Sequence, residues 1–170
     1  MVGGKGGSLA GKRPVWLAAA ICLAVLPCPA AAAELRVAVE GIRSSHGMVM
    51  IGLYDSQATF AQAVKATTSQ DFLVDPQRFG AVALRANAAM RSGVVFTNLA
   101  PGRYAAVAFH DENGNSRLDK SLLGMPTEPY GFSNDVQGFL GPPTFDAAAM
   151  ALGDGDEAVR IALVYHQGSK

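Results

Sequence analysis

Cysteine is almost absent from the 170-residue chain, and its position limits the chemistry of the folded part. The two cysteines, Cys22 and Cys28, both lie within residues 1–33, which have the features of a cleavable export signal. Residues 34–170 therefore contain no cysteine. This excludes disulfide bonds and thiol chemistry from the folded part, although an exported protein meets conditions in which disulfides form.

The chain also lacks an apolar run long enough to span a membrane as a helix. The run Val15–Leu26 has twelve residues and is followed by two prolines, whereas a spanning helix needs about 18 to 20 residues. An Ala-x-Ala cleavage site ends at Ala33, and the residues before the run include three basic ones, Lys5, Lys12 and Arg13. We expect residues 1–33 to be a signal peptide, residues 34–170 to be one domain, and the protein to be exported to the periplasm or the cell exterior.

The chain also lacks a large excess of positive or negative charge. The chain has 14 Lys and Arg and 14 Asp and Glu, and removal of the three basic residues of the signal leaves 11 against 14, a net charge of −3. The arginines are scattered singly between Arg36 and Arg160, so no basic patch is visible. This argues against nucleic acid as a partner. The candidate ligands are a glycan, a peptide or an envelope protein.

Short runs in which apolar and polar residues alternate dominate residues 34–170, and they predict an all-β fold. One run puts Val49, Ile51 and Leu53 on a single buried face, and one short helix is predicted at Ser56–Ala66 because Ser56 can cap it. The predicted strands are Leu35–Glu40, Met48–Tyr54, Phe79–Arg85, Gly93–Leu99, Tyr104–His110, Thr144–Met150 and Ala158–Tyr165. About seven short strands in one domain indicate an antiparallel β-sandwich.

Two turns predict which strands are neighbours. Ser44, Ser45 and Gly47 are typical turn residues, so the first two strands are expected to form a hairpin. The Pro101-Gly102 turn is expected to place the fourth and fifth strands side by side and antiparallel.

A segment of about 24 residues, Lys120–Pro143, has too many Pro and Gly residues for regular structure. Loops of that length are often functional or packed by their own side chains. Tyr130, Phe132 and Phe139 therefore have two interpretations: they form the loop's own small core, or they form an exposed aromatic platform for a glycan or a peptide.

Two motifs carry a resemblance to known families. The "LxPGxY" pattern at Leu99–Tyr104 resembles a turn of small Ig-like and prealbumin-like sandwich domains in exported proteins. The ordered set HDxNxN, LD, GxPxE and GFSN, within His110–Asn134, resembles the signature of the bacterial "domain of unknown function 2141" family. The resemblance implies an exported β-sandwich, but it supplies no catalytic residue because no activity is assigned to that family.

Oxygen-bearing side chains follow the fifth strand at every second position. The spacing is that of positions 1, 3, 5, 7 and 9 of an EF-hand-like calcium loop, occupied here by Asp111, Asn113, Asn115, Arg117 and Asp119. In that scheme Arg117 provides only its backbone carbonyl. Oxygen donors without thiolates suit Ca²⁺ better than Zn²⁺ or Cu²⁺, so calcium is the expected cofactor.

The match to the calcium loop is incomplete. The pattern has Gly at position 6 and Glu at position 12, where this chain has Ser116 and Leu122. A further ligand would have to come from Glu128 or Asp135. Since Asp and Asn also bond to their own backbone in Asx turns, a purely structural turn stays open as the alternative to a metal site.

A catalytic site has weaker support. His110, Asp111, Glu128 and Ser133 are close in sequence, and a hydrolase could use His110 with Asp111 or Glu128. The chain contains no G-x-S-x-G nucleophile motif, no H-E-x-x-H pair and no phosphate-binding Gly-rich loop after the signal. The sequence therefore predicts an exported binding or structural module, with a periplasmic hydrolase as the alternative.

Overall fold

The computed structural model describes residues 1, 3–4, 32–68, 80–86, 93–138 and 141–165. Most of the predicted signal peptide, residues 5–31, lies outside this part of the chain, and so does Phe139. The signal peptide therefore stays a prediction. Within the described ranges, neither α-helix has the length and apolar composition needed to cross a bilayer.

The strands form two sheets, which confirms the predicted β-sandwich. One sheet has the order β4-β1-β8, and the larger one has the order β3-β2-β5-β6, with β7 paired to the start of β5. β1 and β8 run parallel, and the other strand pairs of the described chain are antiparallel. The elements are β1 (Ala33–Glu40), β2 (Met48–Tyr54), α1 (Gln57–Ala66), β3 (Gly80–Arg85), β4 (Val94–Leu99), β5 (Gly102–Asp111), β6 (Tyr130–Phe132), α2 (Phe145–Ala148), β7 (Met150–Leu152) and β8 (Glu157–Ala162).

The main core lies between the two sheets. Residues of β1 alternate between buried and exposed, as the sequence predicted, so that one face of this strand is inside. In the larger sheet, Val49, Ile51 and Leu53 of β2 point to the same core and are fully buried. The prediction of this buried face is confirmed, and it follows from the two-residue period of a strand.

A second core covers the outer face of the larger sheet. Phe60 of α1 makes edge-on ring contacts with Tyr54, Phe132 and Phe145, at centroid distances of 6.0, 6.0 and 6.1 Å. The predicted helix is confirmed, since α1 begins directly after Ser56, whose side chain accepts a hydrogen bond from the Thr59 N–H. Because the helices cover this face, β2 and β5 are buried on both sides.

Both predictions about neighbouring strands are wrong. β1 lies in the small sheet and β2 in the larger one, so the turn around Gly47 connects the sheets instead of closing a hairpin. The Pro101-Gly102 turn likewise leads from β4 in the small sheet to β5 in the larger one. Alternation shows that a strand has a buried face but does not identify its neighbour, and a short polar link suits a hairpin and a sheet-to-sheet corner equally well.

The predicted strand Thr144–Met150 is also wrong for most of its length. Thr144 caps the short helix α2, because its side chain accepts a hydrogen bond from the Ala147 N–H. Only the following residues, in β7, extend and pair with β5. The alanine-rich sequence after the cap favours a helical turn over a strand. β6, within the predicted long loop, was not expected because three residues are too few to show alternation.

Candidate functional site

The loop that follows β5, residues 111–119, is called the Asp/Asn loop below. It starts at the buried end of β5, where Asp111 is inaccessible to solvent. It ends near α1, where the buried Leu118 donates its N–H to the Thr67 carbonyl, with an N···O distance of 2.5 Å. The loop is therefore anchored at both ends in the second core.

The Asp111 carboxylate is bonded to the backbone of its own loop. Oδ1 accepts hydrogen bonds from the N–H groups of Gly114 and Asn115, at 2.8 and 3.0 Å, and Oδ2 accepts one from Ser116 at 2.7 Å. This is an Asx-type turn in which one buried carboxylate satisfies three backbone donors. Ser116 adopts a positive φ of 65° within this turn.

Asp119 accepts hydrogen bonds from three side chains. The Asn113 Nδ2 atom lies 2.6 Å from Oδ2, the Asn115 Nδ2 atom lies 3.0 Å from each carboxylate oxygen, and the Arg117 Nε atom lies 3.1 Å from Oδ1. Burial raises the pKa of Asp119, but the hydrogen bonds from Asn115, Asn113 and Arg117 outweigh it, and the net pKa is lowered.

The orientations of the Asn113 and Asn115 side-chain amides follow from the hydrogen bonds that their oxygen atoms accept. Asn113 Oδ1 accepts from the Asn115 N–H at 3.0 Å, and Asn115 Oδ1 accepts from the Arg117 N–H at 3.1 Å. Each amide oxygen therefore already accepts a hydrogen bond from a backbone N–H. Consequently both amides turn their N–H groups toward Asp119.

Glu128 joins the two ends of the Asp/Asn loop. Its Oε1 accepts from the Glu112 N–H at 2.9 Å and its Oε2 from the Asp119 N–H at 3.0 Å, while the Asp119 carbonyl accepts from Thr127. The side chain is buried, and burial raises the pKa of Glu128 against the lowering effect of the two backbone hydrogen bonds. Glu128 thus fixes the start of the segment that follows the loop.

The predicted calcium ligands are brought together only in part. Asn113, Asn115, Arg117 and Asp119 form one hydrogen-bonded group, whereas Asp111 and Glu128 bond to backbone N–H groups. Asp135 accepts from the Ala162 N–H, away from the loop. No group of three or more His, Cys, Asp or Glu side chains in the described ranges is arranged to hold a metal. Calcium binding through the two amides would require both to reverse, and it stays a prediction.

Replacing Asp119 by Asn is expected to cost about 1 kcal/mol of unfolding free energy at neutral pH, since the amide cannot accept from all three side chains. A carboxyl whose pKa is lowered on folding adds stability above its unfolded pKa, here near 3.8, and loses it as the pH falls through the folded value. The difference between wild type and Asp119→Asn should therefore shrink below pH 3.8 in urea titrations. A difference that grows toward acid would contradict the assigned bonds.

The residues proposed for a hydrolase are turned toward backbone partners. His110 is fully buried, its Nε2 lies 2.7 Å from the His46 carbonyl, and its Nδ1 has no hydrogen-bond partner in the described structure, the closest carboxylate being Glu112 at 3.8 Å. Ser133 is also fully buried, and its hydroxyl donates to the Ala148 carbonyl at 2.6 Å. The structure places neither side chain in an open cleft.

The GFSN motif forms a junction between elements. Ser133 Oγ accepts from the Ala106 N–H of β5 at 2.9 Å. Asn134, at a positive φ of 62°, donates to the carbonyls of Ala147 and Ala149 beside α2. The motif therefore connects β5, β6 and the α2 region, which is a structural role.

A short hairpin, residues 120–126, follows the Asp/Asn loop and is called the tip hairpin. Its ends pair as a bridge between Lys120 and Pro126, and the Ser121 N–H donates to the Met125 carbonyl at 2.8 Å. Leu122 at its end is fully exposed, and Met125 is 53 % exposed. The sequence did not predict this hairpin, although Gly124, at a positive φ of 79°, is a signal for a turn.

Between the tip hairpin, α1 and the outer face of the larger sheet lies a cleft of about 540 Å³. Val107 and Phe109 of β5 and Phe132 of β6 form part of its wall, and Met125 lies at its exposed side. The lining in the described ranges comprises Val64, Thr67, Val107, Phe109, Leu118, Lys120, Gly124, Met125, Pro126, Tyr130, Phe132, Gly138, Gly141 and Pro142. Most of these side chains are apolar.

A protein-family model described as an uncharacterised protein conserved in bacteria, DUF2141, matches residues 37–160. The match covers most of the chain, including the greater part of both sheets, the Asp/Asn loop and the described lining of the cleft. Neither the curated proteins nor the solved structures gave a match.

Proposed function

We propose that this chain, which belongs to the DUF2141 family of bacterial proteins, is an exported binding module that holds a small apolar molecule in the cleft. One observation carries the proposal, namely the cleft of about 540 Å³ with a largely apolar lining. Small-molecule sites in proteins are concave and mostly apolar, with volumes of about 300 to 1,000 Å³. Export rests on the signal features of residues 1–33.

The Asp/Asn loop supports the proposal because it gives the cleft a fixed wall. Glu128 bonds to the backbone at both ends of the loop, and Asp119 N–H and C=O are both held at the base of the tip hairpin. Leu118, between these bonds, lines the cleft. A site whose walls are held by internal hydrogen bonds is preorganised, so less ordering is needed when a ligand binds.

The lining favours a small apolar ligand over a glycan. Phe132 is buried against Phe60, so it belongs to the second core and is not part of an exposed aromatic platform. Tyr130 is half-buried and packs edge-on against Phe132, with ring centroids 5.8 Å apart. Binding a glycan requires several converging polar side chains, and in the described part of the lining only Thr67, Lys120 and Tyr130 carry polar groups.

The two alternatives raised by the sequence remain weaker proposals. Calcium binding rests on the spacing of the oxygen-bearing residues, and it would stabilise the same wall of the cleft. A hydrolase would require His110, Asp111 or Glu128 to leave its backbone partner. The binding module requires no such rearrangement, and for that reason it is preferred.

Binding can be tested with N-phenyl-1-naphthylamine, an apolar dye whose fluorescence rises when it leaves water. The wild type is expected to bind the dye, and Met125→Asp should weaken binding about tenfold or more by placing a charge on the cleft wall. Leu122→Asp is the matched control, since Leu122 lies on the same hairpin but outside the lining. This control should stay within about twofold of the wild type.

Two results would contradict the proposal. The first is a wild type that shows no saturable dye binding. The second is equal loss of binding in the Met125 and Leu122 variants, because the dye would then be held by the exposed hairpin and not by the cleft. Circular dichroism of each variant would check that the fold is retained.

A further inference from the structure

The lining of the cleft carries one formally charged side chain in the described part of the chain, Lys120. The residue stands at the base of the tip hairpin, where its backbone pairs with Pro126. Apolar side chains of β5 and β6 line the same cleft. Among the described residues, the cleft therefore combines an apolar wall with one cation, Lys120, at its edge.

No carboxylate in the described structure neutralises Lys120. The ion pairs there involve other side chains, namely Arg103, Arg117 and Arg160, and the His110 contact with Glu112 does not involve Lys120 either. Its sequence neighbour Asp119 is already bonded to three side chains, which hold its carboxylate within the Asp/Asn loop. Lys120 also keeps its side chain exposed, so its ammonium group is accessible to a ligand.

From this arrangement we propose that the ligand of the cleft is an amphiphilic anion with an apolar chain and a single anionic head group. The chain would lie against the partly exposed lining residues Val64, Met125 and Tyr130, and the head group would pair with the Lys120 ammonium. An ammonium group recognises carboxylate and phosphate as a point charge, so the shared feature of these ligands is their negative charge. The inference rests on the proposed function, since it assigns the ligand class of the same cleft.

The negative charge of the protein as a whole does not favour anions. Residues 34–170 carry a net charge of −3, so long-range attraction cannot concentrate anionic ligands at the surface. Selectivity for an anion must then come from the local contact with Lys120. For this reason its removal should abolish the preference for an anion without abolishing binding of a neutral ligand.

The test compares decanoate with decan-1-ol, two ligands with the same chain length, as competitors of N-phenyl-1-naphthylamine at neutral pH. In the wild type, decanoate should bind about fivefold more tightly than the alcohol, the size expected for a partly exposed charge pair. Lys120→Gln should remove that preference. Lys120→Arg should retain it because the positive charge is kept, and decyl phosphate should compete as decanoate does.

A matched control is Lys65→Gln, which removes a charge from the exposed surface of α1 beside the cleft. Lys65 does not line the cleft, and its replacement should leave the preference unchanged. Equal affinities of the acid and the alcohol in the wild type would overturn the inference and leave the proposed function standing. Failure of dye, acid and alcohol to bind would overturn both.

Discussion

Replacement of Asp111 by alanine is expected to lower the free energy of unfolding by about 3 to 4 kcal/mol. The buried carboxylate accepts from the N–H groups of Gly114, Asn115 and Ser116, and alanine leaves all three without this partner. Hydrogen bonds to a charged acceptor are stronger than neutral ones, and three of them are lost together. Chemical denaturation of wild type and variant, monitored by circular dichroism, measures the difference.

Asp146→Ala is the matched control for Asp111→Ala. Asp146 forms one exposed ion pair with Arg103 at 2.8 Å, and its side chain is 76 % exposed. Its loss should cost less than about 1 kcal/mol, as is usual for surface ion pairs. Similar losses of unfolding free energy in the two variants would contradict the role assigned to the hydrogen bonds of the Asp111 carboxylate.

The same denaturation experiment, run with millimolar calcium and with EDTA, separates the structural turn from the calcium site. A structural turn predicts the same wild-type stability in both solutions and the same cost of Asp111→Ala. A calcium site predicts a wild-type gain of about 2.7 kcal/mol at a hundredfold excess of calcium over Kd. That gain should disappear in Asp111→Ala.

Gly47→Ala is expected to be the second strongly destabilising change, at about 4 kcal/mol in total. A Cβ on Gly47 would lie 1.9 Å from the Asp111 carbonyl oxygen and 2.8 Å from the Glu112 Cα. The link between β1 and β2 would have to move away from the end of β5. That movement would break the contact between the His46 carbonyl and His110. Overpacking of this kind costs about 1 to 3 kcal/mol, in addition to the backbone strain.

Gly114→Ala is the control that separates the steric clash from the backbone strain in the destabilisation expected for Gly47→Ala. Both glycines have positive φ values, 69° at Gly47 and 76° at Gly114, but a Cβ on Gly114 would meet no atom within 4 Å. Gly114→Ala should therefore cost only about 1 to 2 kcal/mol, the strain of the left-handed conformation. Equal costs at the two positions, measured by denaturation, would show that the connection at Gly47 can move freely.

The elements that could be predicted from sequence are those with local signals. The alternation in β1 and β2 identifies their buried faces, and Ser56 marks the start of α1. The assignment of strands to sheets could not be predicted in this way, because β1 pairs with β8, more than a hundred residues away. A link such as that around Gly47 contains no information about the sheet to which the next strand belongs.

For the candidate sites, too, only the features with a local signal could be predicted from the sequence. The spacing of Asp111, Asn113, Asn115 and Asp119 indicated that their side chains would cluster, which three of them do. It did not show that the amides present N–H groups to Asp119, since that depends on backbone donors at Asn115 and Arg117. The cleft could not be predicted because α1, β5 and the tip hairpin are separate in sequence and meet only in the fold.

Mapping of amide chemical shifts in the isotope-labelled protein, titrated with N-phenyl-1-naphthylamine, tests binding in the cleft most directly. The account predicts saturable shifts that concentrate on α1, the outer face of β5 and the tip hairpin, including Val64, Val107, Leu118 and Met125. Residues of the small sheet, such as Arg36 and Arg160, should not shift. Shifts centred on the small sheet, or no shifts at saturating dye, would contradict it.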